Sequence, residues 1–297
     1  MSAPFANGCS FNAPKNKRET LAALLAMGID PSRCIIYHQS SVSAHSELAW
    51  ILSCTASVGY LSRMTQWKAK LDLPSTSLPN EQQVTSRLKL GLFAYPVLQA
   101  ADVLVHRATH VPVGQDQKQH LEFARECVTN FNNAYGQILV PPETIIPPVC
   151  RIMSLTDPKC KMSKSHKSSR SRILITDTPG EIRDKISSAL SDSIPGISYD
   201  KISRPAISNL LDILSVFDPH QRTSIKLAEE VNKTHIRDFK SMVSDAVIQG
   251  LDGIRSRFLD LCDSKSTFLD RVEADGAHRA RKNAEETMHL VRMAMGL

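Results

Sequence analysis

Val111-Pro112-Val113-Gly114-Gln115-Asp116-Gln117-Lys118-Gln119-His120 is the stretch on which the fold turns. Two valines flanking a proline read as a short strand, Gly114 follows, and a helix begins near Asp116. A strand that passes through a glycine into a helix start is the building unit of an α/β fold. The unpaired N–H groups and the dipole at such a helix start favour an anion or a ribose, and the glycine lets a ligand approach the backbone. Asp116 reads equally well as a plain N-cap, and G-x-D-Q alone leaves both readings open.

Working outward, Pro96 suits the first turn of a helix, which places a helix over residues 97–106. Tyr95, Gln99, Asp102 and His106 follow one another at steps of four, three and four, so they share one side of that helix or its mouth. Leu98, Ala101 and Val105 form a separate apolar stripe. A polar row on an otherwise apolar helix fits a pocket for a small polar ligand; a solvated face explains the same row. Upstream, residues 44–56 read as a helix, 34–37 as a short buried strand, and 19–27 as a Leu/Ala-rich helix stopped at Gly28. The stretch 73–86 has two prolines and no period, and reads as a loop. Downstream, residues 152–155 read as a strand before a lysine-rich loop. Thr178-Pro179-Gly180-Glu181 then combines an N-cap, a proline at the first helical position and a capping glutamate, with Ile182, Ile186 and Leu190 repeating at four-residue steps. Helices over 206–217, 239–261 and 277–295 complete the chain. The organisation expected is a disordered leader at residues 1–18, an α/β domain over 19–172 and an all-helical domain over 173–297.

Composition narrows the class. The 297 residues carry 36 Lys plus Arg against 30 Asp plus Glu, a net charge of +6, which suits a polyanionic partner without requiring one. The longest apolar run, residues 21–29, is interrupted by Gly28 and is too short to cross a bilayer, so no membrane partner is expected. Seven cysteines never arranged as C-x-x-C argue against a disulfide framework or zinc site and for a reducing compartment. The leader has no acid and carries Lys15, Lys17 and Arg18, but lacks the amphipathic repeat of an organellar import signal.

Lys161-Met162-Ser163-Lys164-Ser165 lies within 159–172, where Lys159, Lys167, Arg170 and Arg172 add further charge with no acid after Asp157. Clustered flexible lysines can stabilise charge developing on phosphate oxygens, although such runs are often only solvated loops. Here K-M-S-K-S matches a known signature at every letter. With LLAMGIDP, HSELAWIL, RMTQWKAK, YPVLQAADVL, VPVGQDQKQH, RIMSL and the closing AMGL, the chain from Thr20 to Leu297 resembles the tryptophanyl-tRNA synthetases of bacterial and mitochondrial type, class I aminoacyl-tRNA synthetases. The tyrosine enzymes share a Y-P-x-L-Q-type helix, but VPVGQDQKQH favours the tryptophan family.

The resemblance implies a Rossmann-like parallel sheet followed by a helical anticodon-binding domain, a homodimer, and a mitochondrial matrix or cytoplasmic location. It also implies tryptophan, ATP with Mg2+, and tryptophan tRNA as partners. Residue by residue, Asp102 would accept the indole N–H, Tyr95 and Gln117 would bind the amino group, and Gln99 would line the pocket where bacterial relatives often carry methionine. Gly114, Gln115 and Asp116 would lie against ribose and phosphates, and Ile152 against adenine. Lys161 and Lys164 would be catalytic, with Met162, Ser163 and Ser165 completing the loop on the triphosphate and Lys70 a further phosphate contact. The family also has a strand, a G-x-Q-x-[TS]-G turn and a HIGH-like tetrapeptide ahead of the region corresponding to Thr20, none of which precedes Thr20 here. The sequence therefore predicts an N-terminally truncated sheet with very low adenylation activity; the alternative is a catalytically impaired form acting only as a tRNA- or partner-binding protein.

Overall fold

A computed structural model describes residues 13–146, 151–163, 166–263 and 267–297. The helices are α1 (Ala13–Ala26), α2 (Ala44–Ser53), α3 (Val58–Arg63), α4 (Thr65–Lys70), α5 (Gln82–Thr85) and α6 (Leu90–Leu104). Strand β1 (His110–Pro112), helix α7 (Lys118–Tyr135) and strand β2 (Glu143–Ile145) follow. Then come α8 (Pro179–Ser187), α9 (Pro205–Val216), α10 (Ser224–Val231), α11 (Ile236–Cys262) and α12 (Phe268–Met295). Among the described residues no helix is long and apolar enough to cross a membrane.

Two compact units emerge. The first holds α2–α7, both strands and α12; the second holds α1 from Pro14 onward and α8–α11. This partition differs from the 19–172 and 173–297 division expected from the order of strands and helices. The physical reason is α12, whose Ala280, Ala284, Met288 and Val291 are buried in the core of the first unit rather than among the other late helices. Its Arg292 also pairs with Glu47 of α2 at 2.7 Å.

In the first unit β1 and β2 pair in parallel, with Val111 opposite Thr144. Helix α7 makes the crossover that parallel strands require. Gly136, at φ +98°, ends α7 where a residue with a side chain would be strained. Buried Asn132 then pins the return: its Oδ1 accepts the N–H groups of Ile138 and Leu139, and its Nδ2 donates to Leu139 O at 2.9 Å. Arg125 ties α7 to the strand after it, donating to Pro142 O and Thr144 Oγ1.

Several expectations need correction. Residues 34–37 form no strand and lie outside the two-stranded sheet, with Cys34 and Ile35 exposed rather than buried. They lean on α12 instead, whose Gly276 packs on the Ile36 carbonyl and whose Arg279 donates to Pro31 O at 2.9 Å. Helix α6 begins at Leu90, so Pro96 sits inside it and not at its start. Burial of Val97, Ala100, Ala101 and Leu104 outweighs the one backbone bond the proline cannot make. Residues 13–18 of the expected leader are helical, with Lys15 and Glu19 paired one turn apart at 3.8 Å. Residues 152–155 form only an isolated bridge, Met153 with Lys161, because no neighbouring strand extends the pairing.

The second unit has its own core of Ile182, Ile186, Ile207, Leu210, Leu211, Leu227, Phe239 and Val243. Thr178 and Glu181 form the capping box read from the sequence, satisfying the exposed N–H groups at the start of α8. Leu190 falls beyond the end of α8 and is half exposed, whereas Ile182 and Ile186 are buried as their spacing requires.

Candidate active site

The polar row on α6 is divided between two networks in the first unit. Toward its N-terminal half, Tyr95 Oη donates to Gln66 Oε1 of α4 at 2.7 Å and lies 3.3 Å from His120 Nε2 of α7. Gln99 Nε2 donates to Gln117 Oε1 at 3.1 Å, and its Oε1 lies 2.9 Å from His120 Nδ1. Gln117 in turn donates to Asp116 Oδ2 at 2.9 Å, while Gln66 donates to the Asp116 carbonyl at 3.0 Å. Tyr95, Gln99 and Gln117 therefore meet in one half-buried patch, with Gly114, Gln115 and Asp116 exposed at its edge.

Lys70, at the end of α4, places its ammonium 4.6 Å from the centre of the Tyr95 ring, a cation–π distance. Burial, with the Asp116 charge adding to it, pushes the Tyr95 phenol up to about 12, so it stays a neutral donor. Burial first and Lys70 second hold His120 below the usual histidine range. Such a patch of neutral donors and acceptors beside a cation can orient a zwitterion.

One turn further on, Asp102 stands in the second network. Gln39 Nε2 donates to its Oδ1 at 2.5 Å, and His45 Nδ1 of α2 lies 2.8 Å from the same oxygen. The histidine contact is off the ring N–H axis, so it is a close approach and not a hydrogen bond. Among the described residues the side-chain partners of the carboxylate, Gln39 and His45, both face Oδ1, which leaves Oδ2 for an incoming donor. His106, expected at the end of this helix but placed in the turn just beyond α6, bonds Tyr37 and Asn283.

The signature loop belongs to the second unit. Met162 N donates to Ile152 O at 3.1 Å and Ser154 N to Cys160 O at 2.8 Å, closing a tight hairpin. Asn209 of α9 clamps its base, accepting from Met153 N at 2.8 Å and donating to Met153 O at 2.9 Å. Met162 and Ile152 lean on the core of this unit, while Lys161 and Ser163 are exposed. Lys164 and Ser165 lie outside the described residues.

With this geometry in hand, the family described as class I tRNA synthetases for W and Y matches residues 11–252. The chain belongs to that family. It is 42% identical over 284 residues to the mitochondrial tryptophan–tRNA ligase of Schizosaccharomyces pombe, covering 94% of this chain and 78% of that one. The mitochondrial tryptophan–tRNA ligase of Saccharomyces cerevisiae is 41% identical over 290 residues, covering 95% and 75%. Among solved structures, the Campylobacter jejuni tryptophanyl-tRNA synthetase complexed with ADP and tryptophane superposes with a TM-score of 0.75 at 30% identity, covering 96% of this chain and 83% of that one. The family carries a Rossmann-like domain with a helical domain, and here the small parallel β1–β2 sheet and the helices α8–α11 represent those two parts.

Reading the sequence missed Gln39, His45, Gln66 and His120 as members of these networks. A signal for three of them was present: His45 lies in HSELAWIL, Gln66 in RMTQWKAK and His120 in VPVGQDQKQH. What the runs do not show is which member of each touches α6.

Proposed function

We propose that this chain is a tryptophan–tRNA ligase serving mitochondrial protein synthesis, in the matrix. The observation that carries the reading is Asp102: a carboxylate on a half-buried helix wall, with one oxygen held by Gln39 and the other left for a ring N–H. A phenol hydroxyl also donates to a carboxylate, so the choice of tryptophan over tyrosine rests on the tryptophan–tRNA ligase relatives. Tyr95 and Gln117 orient the substrate's amino group, with Gln99 lining the pocket. Gly114, Gln115 and Asp116 lie against the ribose and phosphates of ATP, and Ile152 against adenine.

The reaction then follows from the chemistry of these groups. The tryptophan carboxylate attacks the α-phosphorus of ATP, the bond to the β-phosphate oxygen breaks, and pyrophosphate leaves with its electron pair. Lys161 and Lys164, with Met162, Ser163 and Ser165 shaping the loop, stabilise the charge that grows on the departing pyrophosphate. Lys70 is a further phosphate contact. Magnesium is assigned to the phosphates of ATP as part of the substrate. The tRNA 3′ hydroxyl next attacks the tryptophanyl carbonyl and AMP departs.

A groove of about 600 Å3 in the second unit supports a tRNA partner, since Arg183, His235, Arg237 and Lys240 line it. Lys240 is desolvated there, which lowers its pKa, and it donates to the carbonyls of Ser187 and Ala189. A second copy of the chain is the further partner, and Trp50 on α2, 75% exposed, is an apolar anchor for it.

Tryptophan-dependent exchange of labelled pyrophosphate into ATP, followed by charging of tryptophan tRNA, tests the proposal. Exchange with tryptophan and none with tyrosine supports it. Tight binding of tryptophan tRNA without exchange would make the chain a binding protein instead.

A further inference from the structure

The hairpin that carries the signature lysines is gripped by a residue to which the proposed reaction gives no part. Along its inner edge, Ile152 O accepts from Met162 N and Ser154 N donates to Cys160 O. Between these bonds Met153 and Lys161 form an antiparallel bridge pair. The two bonds bracket the pair without joining it, so Met153 and Lys161 face each other at the narrow spacing, about 4.5 Å between Cα atoms. The N–H and C=O of Met153 therefore point to the outer edge, where a sheet would place its next strand. Asn209 stands there instead, accepting from Met153 N at 2.8 Å and donating to Met153 O at 2.9 Å.

The mount behind this clasp is rigid. Asn209 is 4% exposed on α9, and its neighbours Ile207 and Leu210 belong to the core of the second unit. An amide in such surroundings costs stability unless both its ends are paired, and the Met153 backbone pairs both. Its orientation has one solution, because the backbone N–H only donates and the carbonyl only accepts. One buried side chain thus supplies what an edge strand would, and ties the hairpin to a helix of the same unit. Lys161, opposite Met153, is exposed.

We infer that Asn209 is a positioning residue for the phosphate chemistry: by holding the Met153 backbone it fixes where Lys161, across the hairpin, places its ammonium against pyrophosphate. The inference rests on the assignment of Lys161 to pyrophosphate. Asn209, buried beneath the hairpin, acts through that lysine and not on the substrate.

Calorimetric titration of the full chain with pyrophosphate and magnesium tests this without requiring turnover. Lys161→Ala removes a charge-assisted contact and weakens pyrophosphate binding by about tenfold or more. Asn209→Ala keeps the lysine but frees its mount, and weakens pyrophosphate binding about three- to tenfold while the Kd for tryptophan stays at the parent value. The deciding variant carries both changes. Because Asn209 acts through Lys161, the double variant binds pyrophosphate no more weakly than Lys161→Ala alone. Asn209→Ser, whose shorter side chain cannot hold both backbone groups at once, serves where Asn209→Ala does not fold. Unchanged pyrophosphate affinity in the Asn209 variant would overturn the inference. Losses that multiply in the double variant, or an equal weakening of tryptophan binding, would overturn it too, because those mark a merely structural role. An unchanged affinity in Lys161→Ala would instead refute the assignment of that lysine, and the inference with it.

Discussion

Gly276→Ala is a substitution whose cost can be worked from the backbone alone. An ideal Cβ at Gly276 would sit 2.8 Å from the Ile36 carbonyl carbon and inside the contact radius of its oxygen. The obstacle is backbone and cannot rotate away, so α12 must shift from residues 34–37. Overpacking of this kind costs roughly 1–3 kcal/mol or more, against a helix-propensity gain of about 0.5–1 kcal/mol for replacing an interior glycine. The net is a destabilisation of about 2 kcal/mol, which lowers the unfolding temperature of such a unit by roughly 4–8 °C. Gly253 in α11 is the control: the nearest atom to its ideal Cβ is the end of the flexible Arg257 side chain at 3.4 Å. Gly253→Ala therefore keeps the propensity gain and stabilises the second unit by about 0.5–1 kcal/mol. The assay separates the units, because Trp50 and Trp67 are the chain's two tryptophans and both belong to the first. Fluorescence-detected melting should drop for Gly276→Ala and stay in place for Gly253→Ala, whose circular-dichroism transition should rise. A Gly276→Ala chain as stable as the parent would refute the packing argument.

Thr178→Ala removes the capping box of α8 and should cost the second unit about 1 kcal/mol, read as a lower circular-dichroism midpoint. His106 and His120 are both held below the histidine range by burial, so the unfolded chain binds protons first as pH falls. The fluorescence-detected midpoint should accordingly decline as pH drops below about 6.5, the unperturbed histidine value, and His106→Asn should flatten that decline. Lys161→Ala should reduce pyrophosphate exchange by about 100-fold while leaving the calorimetric Kd for tryptophan unchanged, since its charge is needed only as pyrophosphate departs.

Local chemistry made much of this molecule legible in advance. VPVG followed by a polar helix start defines the β1–α7 unit, and T-P-G-E announces the start of α8 because capping is settled within four residues. The polar row Tyr95, Gln99 and Asp102 was also visible, since helical spacing alone places it on one side of α6, with His106 in the turn just after it. What escaped reading was set by distant partners. Residues 34–37 have the composition of a strand, yet their neighbour is α12, some 240 positions later, whose Arg279 and Arg281 take the carbonyls of Pro31 and Ser41. Pro96 looks like a helix start because local rules say so, and only the burial of the residues after it explains a helix that runs through. The division of the row into a Gln99–His120 patch and an Asp102–His45 patch depends on α2, α4 and α7 approaching α6 from different sides, which no spacing encodes.

The most direct measurement is a crystal structure of the full chain grown with tryptophan. The account predicts an indole nitrogen about 2.7–3.2 Å from Asp102 Oδ2, with the amino group against Tyr95 and Gln117. Tryptophan bound elsewhere, or bound here with its ring nitrogen turned from the carboxylate, would contradict it.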